Sequence, residues 1–75
     1  MTFAEACIER IGSQPLRPLQ RIRAKAILRD PDLSAGFEAK VRREMELPAG
    51  AIDWSQIDWE QVMQIVILIL KLFGV

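Results

Sequence analysis

Cys7 is the only thiol in this 75-residue chain, and the sequence contains no histidine and no tyrosine. A cysteine or serine nucleophile needs a positioned base, and the usual one is missing throughout. One cysteine without histidine falls short of a zinc site, and it rules out a disulfide within the chain. There is no glycine-rich phosphate loop, and no carboxylate pair stands apart from helix caps and surface acids. The residue inventory therefore predicts a non-enzyme with no catalytic residue, cofactor, metal ligand or small-molecule substrate. Cys7 reads as an inert thiol on the apolar face of a helix.

Charge chemistry is more suggestive. Arg17, Arg21, Lys25 and Arg29 recur every fourth residue, with Arg23 beside them and no acid anywhere in 16–29. On a helix that spacing makes one cationic edge, expected to face an anion: nucleic-acid phosphates, acidic lipid headgroups or an acidic partner. The competing expectation is internal pairing, with Glu5, Glu9, Asp32 or the acids near residue 58 as counter-charges. No aromatic residue interleaves the cations and no base-reading motif is present, so sequence-specific nucleic-acid recognition is not expected.

The strongest signal is apolar. Val62, Met63, Ile65, Val66, Ile67, Leu68, Ile69, Leu70, Leu72 and Phe73 crowd the end of the chain, relieved by Gln64 and Lys71. At 100° per residue Glu60, Gln64 and Lys71 fall within about 40°, leaving one thin polar stripe on an otherwise apolar helix. Such a helix is expected to be surrounded on nearly all sides, by the other three helices of its own chain, by a second chain or larger assembly, or by a membrane. The expected association interface comprises these ten apolar residues together with Trp54 and Trp59, either packing the start of the helix or acting as interface hot spots. Residues 59–73 would span about 22 Å, short of the roughly 30 Å hydrocarbon core, so a clean membrane span is not favoured. The run 64–70 is β-branched enough to suit a strand, but its flanking caps and charges favour helix.

The elements that must position these groups follow from caps and periodicity. Thr2 and Glu5 form a capping box for a helix over about 3–11, with Phe3, Cys7, Ile8 and Ile11 inward and Gly12 at its end. Pro18 suits the first turn of a helix over about 18–29, whose apolar stripe is Leu19, Ile22, Ala26 and Ile27 and whose stop is Asp30-Pro31. Asp32 or Ser34 caps a third helix, about 33–46, with stripe Leu33, Phe37, Val41 and Met45 and four-apart pairs Glu38–Arg42, Lys40–Glu44 and Arg42–Glu46. Leu47-Pro48-Ala49-Gly50 is a loop. The echo Ile52-Asp53-Trp54-Ser55-Gln56 and Ile57-Asp58-Trp59-Glu60-Gln61 presents Asp53 and Asp58 as rival caps of a last helix, about 54–73.

These readings predict an all-α fold: three short amphipathic helices plus a strongly apolar C-terminal one, in one domain with a 1–50 short-helix region and a 51–75 association helix. So short a chain buries only about 60% of its unfolded surface, so association is the expected source of extra stability. The formal charge is zero, but residues 1–45 carry nine basic and six acidic side chains, and 46–75 carry one and four. The two halves, net +3 and −3, attract each other within or between chains. The expected function is a structural or assembly protein that self-associates or docks into a larger complex, such as a virus particle, through its last helix. Alternatives are a small membrane-associated protein with the last helix inserted or interfacial and the second helix on anionic headgroups, and a nucleic-acid accessory protein using the cationic edge. A cytoplasmic location, or one within an assembled particle, is expected, without a cleavable secretion signal.

Overall fold

The structure, a computed structural model, describes residues 2–48 and 50–75; Met1, and Ala49 within the expected 47–50 loop, lie outside the described residues. Four α-helices follow in order: α1 Phe3–Ile11, α2 Pro18–Arg29, α3 Pro31–Glu44 and α4 Trp59–Leu72, with a 3-10 turn Trp54–Gln56 ahead of the last. The fold is all-α, without a strand among the described residues.

Local chemistry accounts for most of these boundaries. The capping box forms as read: Glu5 N–H donates to the Thr2 hydroxyl and Thr2 N–H donates to the Glu5 carboxylate. Those bonds to Thr2 hold the Glu5 carboxyl below its ordinary value. Asp30 alone separates α2 from α3, as C-cap of one and N-cap of the other, its carboxylate accepting from Asp32 N and Leu33 N at 2.9 and 3.2 Å. The expected cap at Asp32 or Ser34 is thus displaced to Asp30. Pro31 stops α2 yet occupies the first position of α3, where its missing N–H costs nothing.

The α3 end differs as well. Glu46 sits at φ 54, and Leu47 N–H reaches Arg42 O while Glu46 N–H reaches Arg43 O, a Schellman closure. Because Glu46 has left the helix, the expected Arg42–Glu46 pair does not form. Arg42 pairs with Glu38 at 3.0 Å, and Lys40 pairs with Glu44 at 3.0 Å. The other Arg42 N–H groups hold the following loop through Pro48 O and Gly50 O at 3.0 and 2.8 Å.

Asp53 and Asp58 were expected to compete, and both are used. Asp53 caps the 3-10 turn, where bonds from the Ser55 hydroxyl and amide lower its carboxyl below the ordinary value. Ile57 and Asp58 are extended, and Asp58 caps α4 by accepting from Gln61 N. The single helix expected over 54–73 is therefore a turn, a break and a shorter helix. Gly74, at φ 83, closes α4 with its own Schellman bonds to Lys71 O and, through Val75, to Leu70 O.

α1 packs on α2, α2 on α3, and α4 returns to lie on α3 and α1. Phe3, Cys7 and Ile11 of α1, Phe37 and Val41 of α3, and Val62, Met63, Val66 and Leu70 of α4 form the core with Trp54. The stripe expected on α2 is corrected. Leu19 and Ile22 are 58% and 66% exposed and Ala26 is exposed too; of the expected stripe only Ile27 packs against the core, where Ala24 and Leu28 point inward instead.

An aromatic cluster ties the start of α1 to the start of α4. Phe3 lies 5.0 Å from Trp54 and 6.4 Å from Trp59 between ring centroids. Arg10 caps the Trp59 face at 4.5 Å and Arg42 the Trp54 face at 5.5 Å, while the Trp59 indole N–H donates to Trp54 O. The two tryptophans thus pack the start of α4.

Candidate association surface

The apolar residues of α4 divide by direction. Val62, Met63, Val66 and Leu70 are buried in the chain's own core, as is Trp54 ahead of the helix. Trp59, Ile65, Ile67 and Ile69 are half-buried. Leu68, Leu72 and Phe73 are 64%, 83% and 51% exposed. The association face expected over the whole segment is therefore narrowed in a single chain to the outward side. The physical reason is that α1 and α3 cover one half of the helix, while α2 directs Ala24, Leu28 and the half-buried Ile27 to the core.

On the outward side Gln61, Ile65, Leu68 and Leu72 succeed one another at spacings of four, three and four, within about 60° on the helical projection. That is the spacing of a coiled-coil seam. The polar stripe Glu60, Gln64 and Lys71 runs alongside it, exposed. Glu60, Gln64 and Lys71 also line a cleft of about 390 Å³ closed on its far side by Gln14. On the opposite flank, Leu72 and Phe73 form one lip of a groove of about 330 Å³ against Leu33, Gly36 and Phe37 of α3. Phe37 stacks obliquely on Phe73 with centroids 5.7 Å apart. Seam and groove share Leu72, so the exposed apolar surface is continuous.

α4 has 14 residues, about 21 Å at 1.5 Å per residue, and no helix of the described residues is long and apolar enough to cross a membrane.

The cationic edge is also rearranged. Among the described residues the ion pairs within 4 Å are the two inside α3, so internal pairing of Arg17, Arg21, Lys25 and Arg29 with Glu5, Glu9, Asp32 or the acids before α4 is not seen. Arg21 turns inward and donates to Gln14 O and Leu16 O at 3.2 and 2.9 Å, tying down the α1–α2 loop. Lys25 is half-buried, whereas Arg17, Arg29 and the neighbouring Arg23 are exposed.

Cys7 is fully buried, and burial pushes its thiol from 9.0 up to about 12. It is therefore protonated and shielded at neutral pH. No group of three His, Cys, Asp or Glu able to hold a metal occurs among the described residues.

No family model, curated protein or solved structure matches this chain.

Proposed function

We propose that this chain is a non-catalytic association module whose α4 seam packs against the same seam of a second copy, antiparallel. One observation carries the reading. Leu68 and Leu72 stand 64% and 83% exposed in coiled-coil register on a helix whose other half is committed to the core. Water-facing leucines in such a row are stabilised by a partner presenting the same row.

Charge and dipole favour the antiparallel sense. α4 begins with Asp58 and Glu60 and ends with Lys71. Antiparallel packing sets the acidic, dipole-positive end of one copy beside the basic, dipole-negative end of the other, and a parallel pair sets like beside like. Pairing Ile65 with Leu68 across the axis brings Gln61 opposite Leu72 and Glu60 near Lys71 of the second copy. The sole thiol of the chain is withdrawn into the core, consistent with a role exercised through surface contact.

Sedimentation equilibrium over a range of concentrations tests the reading, with a dimer expected to dissociate on dilution. Glu60→Lys and Lys71→Glu should each weaken it, and the double exchange should restore it. Within one chain these residues are three turns apart, so only an intermolecular contact predicts that rescue. A monomer at every concentration would end the proposal.

A further inference from the structure

We propose that the outward face of α2 is a peripheral docking surface for an anionic lipid layer, separate from the α4 seam. On the helical projection Ile22, Ala26 and Leu19 fall within about 60° of one another, with Arg29 at one border and Arg23 at the other. Leu19 and Ile22 are 58% and 66% exposed, although α2 has a second apolar pair, Ala24 and Leu28, already engaged in the core. Neither Arg23 nor Arg29 lies within ion-pair distance of an acid among the described residues.

This pattern of an aliphatic centre with cations on both flanks fits one chemistry closely. Leucine and isoleucine enter the boundary between headgroups and acyl chains, while arginines on either side reach back to the phosphates. A nucleic-acid backbone would meet the cations but leave Leu19 and Ile22 against phosphates, with no gain from their burial. A protein pocket is matched less well by a convex ridge that carries no aromatic anchor. α2 has 12 residues, about 18 Å in length, so it would lie flat in the interface.

The probes are phosphatidylcholine vesicles with and without phosphatidylserine, mixed with the full chain and read by flotation at low and high salt. Binding is expected only to the phosphatidylserine vesicles and should fall as salt rises. Arg23→Glu with Arg29→Glu should weaken it at least ~30-fold, from about 1 kcal/mol per arginine. Ile22→Gln should weaken it ~10-fold through the lost aliphatic contact. All three side chains are exposed, so the variants are expected to keep the helical circular dichroism of the parent. Failure of the parent chain to float with phosphatidylserine vesicles overturns the proposal, as does equal binding to pure phosphatidylcholine. Binding that survives both α2 variants but is lost in Leu68→Gln/Leu72→Gln would assign insertion to α4 and overturn it too. Because the α4 seam is tested by sedimentation without lipid, failure here leaves that outcome separate.

Discussion

Replacing Leu68 and Leu72 together by glutamine should abolish association while leaving the individual chain folded. The two leucines are 64% and 83% exposed, so each copy offers the equivalent of about one and a half leucine side chains for burial. A symmetric pair buries about three, and at about 1.5 kcal/mol each the dimer loses roughly 4 kcal/mol, or ~1000-fold in Kd. Folding of the separate chain should shift by no more than about 0.5 kcal/mol, because surface substitutions away from packed groups rarely do more. Thermal unfolding at several concentrations reads both quantities. For the parent chain Tm should rise with concentration, since a dimer is stabilised by mass action, and in the double variant that dependence should vanish. Val66→Ala provides the contrast: the side chain is fully buried, so stability should fall by about 1–3 kcal/mol whatever the concentration. If the double variant unfolds outright, or keeps the concentration dependence of the parent, the assignment of an outward seam is wrong.

Glu46→Gly should raise stability by about 1 kcal/mol in chemical denaturation, because Glu46 holds the left-handed position of a Schellman closure at φ 54, where α4 uses Gly74. Phe3→Ala should cost about 3–5 kcal/mol and shift tryptophan fluorescence, since Phe3 is 2% exposed and touches both Trp54 and Trp59; an unchanged spectrum would refute the cluster. Cys7 should resist thiol reagents at pH 8 until the chain unfolds. Its folded thiol is raised from 9.0 to about 12, so its contribution to stability is fully present below about pH 9 and is lost as pH climbs toward 12. Rapid modification of the native chain at pH 8 would contradict the burial.

Much of the fold was legible from side-chain chemistry that acts within one turn of helix. Thr2 with Glu5, Pro18, Asp58 and Gly74 each satisfy or spare backbone groups a few residues away, so the limits of α1 and α2 and the closing of α4 followed directly. The 3-10 turn was half visible: two Asp-Trp-x-Gln repeats signalled two caps, but whether both would be used depended on where Trp54 had to lie. It lies in the core beside Phe3, and the chain breaks at Ile57–Asp58 to put it there. The stop of α3 was misplaced because a glutamate gives no sign of a left-handed backbone.

Composition and periodicity alone determined that the chain is helical and that its last helix is strongly apolar. Only the tertiary structure decided which side of each helix is free. α2 carries two apolar strips, and periodicity cannot choose between them. In the fold the strip of Ala24 and Leu28 joins the core, while Arg21 holds the carbonyls of Gln14 and Leu16 and Asp30 links the helix directly to α3. Leu19 and Ile22 are left in water. The two-sided apolar character of α4 was plain in its residues, but where α1 and α3 would lie against it was not. Their positions are non-local, and they select Leu68 and Leu72 as the surface through which this chain is expected to act.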